Sequence, residues 1–180
     1  MKTAMGIDCY DRVTAVLAAF MDFDNIPQDI LKRKQEIGTK VHSSIEAYNN
    51  NLGMIIENEE IAPYLDSFLK WKHVKNKLIK CEERLYCPKL QITGQIDMIM
   101  EIEGENVLFD VKTSSSVHKH YQLQLSAYRY LAKENGIRVD KQAILLLDKE
   151  GKDPQEFYFE DQLPIFLSCL DVYRFFCMYM

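Results

Sequence analysis

Two short runs decide the reading of this chain: Gly94-Gln95-Ile96-Asp97, and Phe109-Asp110-Val111-Lys112-Thr113. From Leu90 to Ile102 the sequence alternates. Leu90, Ile92, Gly94, Ile96, Met98, Met100 and Ile102 share one face, and Gln91, Thr93, Gln95, Asp97 and Glu101 mostly share the other. Period two with one apolar side predicts a strand. Glu103-Gly104-Glu105-Asn106 is turn-like, and Val107 to Lys112 reads as the returning strand. With Gly104-Glu105 as a two-residue loop, Glu103 pairs with Asn106 and Asp97 falls opposite Lys112. Asp110 precedes Lys112 by two positions and therefore points to the same side. The expected product is a pair of carboxylates and a lysine on one sheet face. Neighbouring carboxylates repel, and a shared divalent cation is the usual means of keeping both ionised. Oxygen donors with room for water suit Mg²⁺ or Mn²⁺. A plain surface hairpin, with Asp110 and Lys112 as solvated charges, is the bland alternative.

Working outward, His118 to Lys133 predicts a helix. Tyr121, Leu125, Tyr128 and Leu131 form its apolar stripe, with Gln122, Ser126, Arg129 and Lys133 on the wet side. Gln124 lies within the stripe, where an unpartnered amide costs about 1–3 kcal/mol. Gln124 therefore needs a partner, and Tyr128, at i+4, lies on the same side of the helix. Upstream, Val41, Ile45, Tyr48 and Leu52 make another helical stripe. His42 and Glu46 sit one position round from it, with Glu46 a candidate to orient the imidazole.

These segments carry a resemblance. Gly94-x-x-Asp97, then Asp110-x-Lys112-Thr113-Ser114, then Gln124-x-x-x-Tyr128, with Gly38-Thr39-x-x-His42 upstream, resembles the PD-(D/E)XK nuclease superfamily, and within it the RecB-type and phage exonuclease branches. The likeness spans roughly residues 10 to 150, and Ile96 stands where the superfamily's eponymous proline would be. The resemblance implies an α/β fold with a central mixed β-sheet flanked by helices, in the restriction-endonuclease-like order αβββαβ. It implies a metal-dependent DNA exonuclease of phage or bacterial recombination and repair, acting on linear ends or single strands. Asp97 and Asp110 would bind one or two Mg²⁺ or Mn²⁺ ions, completed by His42 and the Val111 carbonyl. Lys112 would orient or deprotonate the attacking water or stabilise the transition state. Gln124 and Tyr128 would bind DNA phosphate or hold the catalytic groups, and Thr113 and Ser114 would contact DNA or organise the site. A glutamate on the preceding strand also belongs to the pattern. Alignment favours Glu82 over Glu83. An endonuclease with the same site, structure-selective or restriction-type, and an inactive binding module are the alternatives. Some relatives hold an iron–sulfur cluster on one upstream cysteine and three C-terminal ones. Here Cys9 is followed downstream only by Cys169 and Cys177, with Cys81 and Cys87 around the first strand, so no cluster is expected.

Composition is compatible with this. The 180 residues suit one nuclease domain, with a mainly helical part to residue 77, a sheet core over 78–160 and a terminal helix over 161–180. No apolar run approaches the roughly 20 residues that span a bilayer, and the first residues lack a signal peptide's apolar core. Five cysteines, an odd number, suit a reducing cytoplasm. A net charge of −5 argues against a broadly basic surface and predicts a local basic patch instead. Leu31-Lys32-Arg33-Lys34 and the lysines at 70, 72, 75, 77 and 80 are candidates, each also readable as a solvated face. Trp71 reads as core or as a base-stacking platform, core being favoured. Arg12 to Phe20 predicts a short helix, Leu78 to Cys87 the first strand, and Gln142 to Leu147 a strand buried on both faces. Phe157 to Phe159 predicts an edge strand. Leu163 to Met180 is an apolar helix suited to sheet packing or an oligomer contact, with a recombination protein as the other candidate partner.

Overall fold

The apolar residues of the central hairpin are buried on both of its sides, and this organises the molecule. The computed structural model describes residues 10–21, 26–74 and 77–177. Within them the order is β1 (Asp11–Arg12), α1 (Val13–Ala18), α2 (Gln28–Asn49), α3 (Ala62–Val74), β2 (Lys77–Cys87), β3 (Ile92–Ile102), β4 (Glu105–Lys112), α4 (Lys119–Glu134), β5 (Lys141–Leu146), β6 (Gln155–Tyr158) and α5 (Leu163–Cys177). The six strands form one mixed sheet. β2 and β4 flank β3 antiparallel, β4 and β5 run parallel around α4, and β6 closes the edge antiparallel to β5. The fold is α/β, with helices on both faces of a central mixed sheet.

Helices α1, α4 and α5 cover one face through Val16, Leu17, Leu125, Leu131, Phe166 and Leu170. Helices α2 and α3 cover the other through Val41, Ile45, Leu65, Phe68 and Trp71. Trp71 is core. Its ring meets Phe109 edge-on at 5.0 Å, and its Nε1 donates to Glu156 at 2.7 Å, which satisfies the buried indole. β5 is buried on both sides, with Ile144 in one layer and Ala143 and Leu145 in the other.

The hairpin register differs from the expectation. Ile102 pairs with Glu105 and Met98 with Phe109, so the loop is Glu103-Gly104 and not Gly104-Glu105. Both loop residues have positive φ, 52° and 82°, the type I′ turn whose twist suits a hairpin. Glu103 tolerates the left-handed conformation, and the register slides by two residues. A slide of two preserves which face each side chain takes, so Asp110 and Lys112 still share a side. Asp97 is not opposite Lys112: the β3–β4 ladder ends at Met98↔Phe109, and Asp97 meets the Val111 amide instead.

The single apolar face expected for β3 is also corrected. Ile92 and Ile96 lie in the α4 layer, Met98 and Met100 in the α2 layer, and Ile99 again in the α4 layer. The inward face changes side at Asp97. There the β2–β3 ladder passes from Glu83↔Ile96 to Cys81↔Met98 with no Glu82–Asp97 pair, and Glu82 has a φ of 47°. On β3's other edge the neighbour changes from β1, at Ile92 and Thr93, to β4, from Met98 onward. Residues 94–97 thus line a gap between two neighbouring strands.

Candidate active site

The gap is filled from both layers. α2 starts after Pro27 and runs unbroken through Gly38 to Asn49, which delivers His42 to the β4 end. The imidazole Nε2 lies 3.1 Å from the Val111 carbonyl oxygen, and Nδ1 lies 3.5 Å from Glu82 Oε1 and 3.5 Å from Asp97 Oδ1. Glu46 plays no part in this. It stands exposed on the helix, and the ring is oriented by Glu82, Asp97 and Val111. Asp97 Oδ2 accepts the Val111 amide at 2.6 Å, a bond available because β4 has left the ladder. Of the two glutamates, Glu82 faces the site, whereas Glu83 is paired with Lys80 at 2.8 Å.

Asp110 and Lys112 point toward α4. Lys112 Nζ is 2.7 Å from Asp110 Oδ2 and 3.3 Å from Gln124 Oε1, and it sits over the Tyr121 ring, 4.8 Å from its centroid. Gln124 Nε2 donates to Asp110 Oδ1 at 2.9 Å and contacts the Tyr128 hydroxyl at 3.1 Å. The buried amide therefore grips both members of the ion pair, and its orientation follows, since Lys112 only donates and Asp110 accepts. Gly94 makes room for this clamp. A Cβ there would stand 2.6 Å from Tyr128 Cε1 and 3.1 Å from Leu131 Cδ1.

Burial and neighbouring charges oppose one another at each of these groups, and which wins differs from group to group. Burial raises the Asp97 carboxyl pKa against the pull of His42 and Lys112, and it pushes Asp110 up to about 6 despite Lys112. Burial acts against the charged His42 ring, but the charges of Asp97 and Glu82 win, and the imidazole rises to about 9. Burial also opposes the Lys112 ammonium, and Asp110 and Asp97 overcome it and hold the pKa above the ordinary value. His42 and Lys112 thus both draw the Asp97 and Asp110 carboxyls down against burial, and Lys112 is the nearer cation to Asp110.

The donor set fits a divalent cation. One ligand atom each from His42, Glu82 and Asp97 lies within 4.8 Å of the others, and the Val111 carbonyl adjoins them, while Asp110, which feels the charges of Asp97 and His42, turns its oxygens to Lys112 and Gln124. Carboxylate oxygens, a carbonyl and one imidazole are the ligands that Mg²⁺ and Mn²⁺ accept.

The structure thus brings together Glu82, His42, Asp97, Asp110, Val111, Lys112, Gln124 and Tyr128. Thr113 lies beside Gly38, its Oγ1 3.7 Å from where a Cβ on that glycine would be. Ser114 Oγ donates to the Ser116 carbonyl at 2.8 Å, within the loop to α4. Ser126, expected on the wet face, is buried. Its hydroxyl donates to the Gln122 carbonyl at 2.8 Å and receives the Gln162 amide at 2.8 Å and Gln142 Nε2 at 3.3 Å. The loop before α5 folds over that side of α4, a long-range contact that helical periodicity does not encode. Sequence reasoning missed Tyr121 as a support for Lys112 and Gln95 as a partner of Glu82. Gln95 had a signal, a polar residue one step from the motif glycine. Of the basic candidates, Lys70 Nζ donates to the Gly151 carbonyl at 2.6 Å, Arg33 pairs with Glu60, and Lys75 lies outside the described residues.

The family profile of the PD-(D/E)XK nuclease superfamily matches residues 17–165. The chain belongs to the PD-(D/E)XK nuclease superfamily. Nuclease activity, a nucleic-acid substrate and dependence on divalent metal are what membership carries. Two solved structures are similar in fold. The crystal structure of SSO0001 has 16% identity and a TM-score of 0.47, with 98% of this chain and 79% of that one covered. A candidate exonuclease from Eubacterium rectale has 15% identity and a TM-score of 0.48, with 92% and 82% covered. No curated protein matches the chain. No helix among the described residues is long and apolar enough to cross a membrane.

Proposed function

We propose that this chain, as one nuclease domain, is a RecB-type DNA exonuclease that hydrolyses phosphodiester bonds with Mg²⁺ or Mn²⁺. One observation carries the reading: His42, Glu82 and Asp97 converge beside an Asp110–Lys112 pair that Gln124 clamps from a third element. His42, Glu82, Asp97, Asp110 and the Val111 carbonyl would hold the cation. The chemistry such a cation would supply is a lowered pKa for bound water and withdrawal of charge from the phosphoryl oxygens.

The chain's own groups do the rest. Lys112, an ammonium beside Asp110, donates to a non-bridging phosphate oxygen as charge builds on it. Gln124 and the Tyr121 ring fix the ammonium's position, so little reorganisation is needed during the reaction. The nearby Tyr128 hydroxyl is buried and turned to Gln124, and burial together with Asp110 raises its pKa, so it is no nucleophile. Direct attack by water remains. The preference for ends is analogy to the branch that the motifs resemble.

The test uses end-labelled linear duplex, single-stranded oligonucleotide and closed-circular DNA, each with Mg²⁺, Mn²⁺ or EDTA. Metal-dependent loss of label from linear substrates, with circles intact and Lys112→Ala inactive, is the expected result. Cleaved circles would replace the exonuclease reading with an endonuclease. No cleavage of any substrate with either metal would overturn the catalytic reading.

A further inference from the structure

A polar chain that the reaction above does not use leads from the surface into the cation site. Arg84 and Gln95 are cross-strand partners on β2 and β3. Arg84 Nη2 donates to Gln95 Oε1 at 2.8 Å, and Gln95 Nε2 donates to Glu82 Oε2 at 2.7 Å. The other Glu82 oxygen, Oε1, is the one that faces His42. Glu82 is also the β2 residue with a φ of 47°, at the point where the ladder to β3 is interrupted. A side chain other than glycine rarely adopts that conformation, and it persists only where the surroundings hold it there.

We propose that Gln95, its amide locked by Arg84, is the positioning residue that holds Glu82 in the cation site. This rests on the reading of the site given above. The logic is one of donors and acceptors. A guanidinium only donates, so it must be met by the amide oxygen. The amide NH₂ is then forced inward onto Glu82, leaving one carboxylate oxygen pinned and the other free for the site. Reversing the amide would set its oxygen against the carboxylate and expel it.

That logic separates the inference from simple electrostatics. Replacing the exposed Arg84 with glutamate adds negative charge near a cation site, which by itself tightens cation binding. If Gln95 transmits the change, the opposite occurs. The introduced carboxylate competes for the amide NH₂, Glu82 loses its anchor, and binding weakens. The measurement is Mn²⁺ affinity by titration calorimetry on the full chain, with circular dichroism as a fold control. Gln95→Leu is expected to weaken Mn²⁺ binding about tenfold, as loss of a ligand's supporting partner does. Arg84→Glu is expected to weaken it several-fold, and Arg84→Lys, which keeps a donor, to stay within about twofold of the original chain. In the Gln95→Leu background Arg84→Glu should instead tighten binding slightly, since only the charge effect is left.

Two results would overturn the inference: Gln95→Leu with unchanged affinity, or Arg84→Glu tightening binding with Gln95 in place. If Gln95→Leu fails to fold, the sign of the Arg84→Glu effect decides alone. An original chain that takes up no Mn²⁺ would sink the cation site itself, an outcome distinct from uptake that Gln95 and Arg84 leave unchanged.

Discussion

Gly94→Ala is the sharpest test of how the site is built. A Cβ at this position would lie 2.6 and 3.0 Å from Tyr128 Cε1 and Cδ1 and 3.1 Å from Leu131 Cδ1, where ordinary contact begins near 3.4 Å. The φ of Gly94 is not positive, so space alone excludes the methyl group. The Tyr128 ring must retreat by most of an ångström, and it is buried among Leu125, Leu131 and Ile96. Overpacking of this kind costs about 1–3 kcal/mol. For a chain of this size that lowers Tm by roughly 3–10 °C. Because the Tyr128 hydroxyl touches Gln124, and Gln124 grips Asp110 and Lys112, activity should fall more than stability explains. The assay is thermal unfolding of Gly94→Ala, Tyr128→Leu and the double variant. With the ring gone the added methyl should cost under about 0.5 kcal/mol, or even gain from a stiffer unfolded chain. An alanine variant as stable as the original chain, or a penalty that persists in the Tyr128→Leu background, would refute the packing argument.

Gly38→Ala should do the reverse. Its Cβ would meet Thr113 Oγ1 at an ordinary 3.7 Å within helix α2, so unfolding should show a gain of about 0.5–1 kcal/mol. Ser126→Ala should cost about 1–3 kcal/mol in denaturant unfolding by stranding the Gln162 amide and leaving Gln142 with only the Glu160 carbonyl, whereas Gln122→Ala should stay within about 0.5 kcal/mol. The metal-free protein should lose stability as pH rises. His42 at about 9 and Asp110 at about 6 both bind protons more tightly folded than unfolded. The Asp110 contribution is complete below an unfolded pKa near 4 and disappears as pH passes about 6. The His42 contribution is complete below about 6.5 and disappears as pH passes about 9. Either shift alone is worth up to about 3 kcal/mol. Burial acts the other way on His120, lowering it to about 4, so that group adds stability as pH rises to about 6.5 and offsets the Asp110 loss; the net decline falls between about pH 6.5 and 9, where urea midpoints would measure it. Saturating Mn²⁺ should flatten the decline, because the cation binds the deprotonated groups. A metal-free protein that grows more stable from about pH 6.5 to 9 would contradict these assignments.

Local pattern carried much of this architecture. The stripe of α4, that of α2 as far as Tyr48, the double burial of β5 and the turn chemistry around Gly104 are short-range signals, and each fell within a few residues of its place; Leu52, expected to continue the α2 stripe, lies beyond the helix and is exposed. The site's membership was legible for a related reason. A buried-looking Gln124 and a hairpin bearing two aspartates make sense only with partners. What sequence did not show depends on contacts distant along the chain. The two-residue slide followed from Glu103 accepting a left-handed turn. Ser126 is buried by the loop before α5, and Glu46 lost its role to Glu82, a strand away. The change of face at Asp97 was hidden because the period of two in the sequence runs on unbroken past the point where the β2–β3 pairing is interrupted.

That change of face has a consequence for how the protein opens. Each layer of helices has its own apolar cluster, and clusters of this kind commonly exchange their amides as separate units. Here His42 comes from one layer and Gln124 and Tyr128 from the other, meeting across the strand that serves both. Whatever occupies the gap between them rivets the two halves together. Ligand binding should therefore merge the exchange of α2 and α4 amides into a single slow phase, so that the sheet's two sides come apart together or not at all.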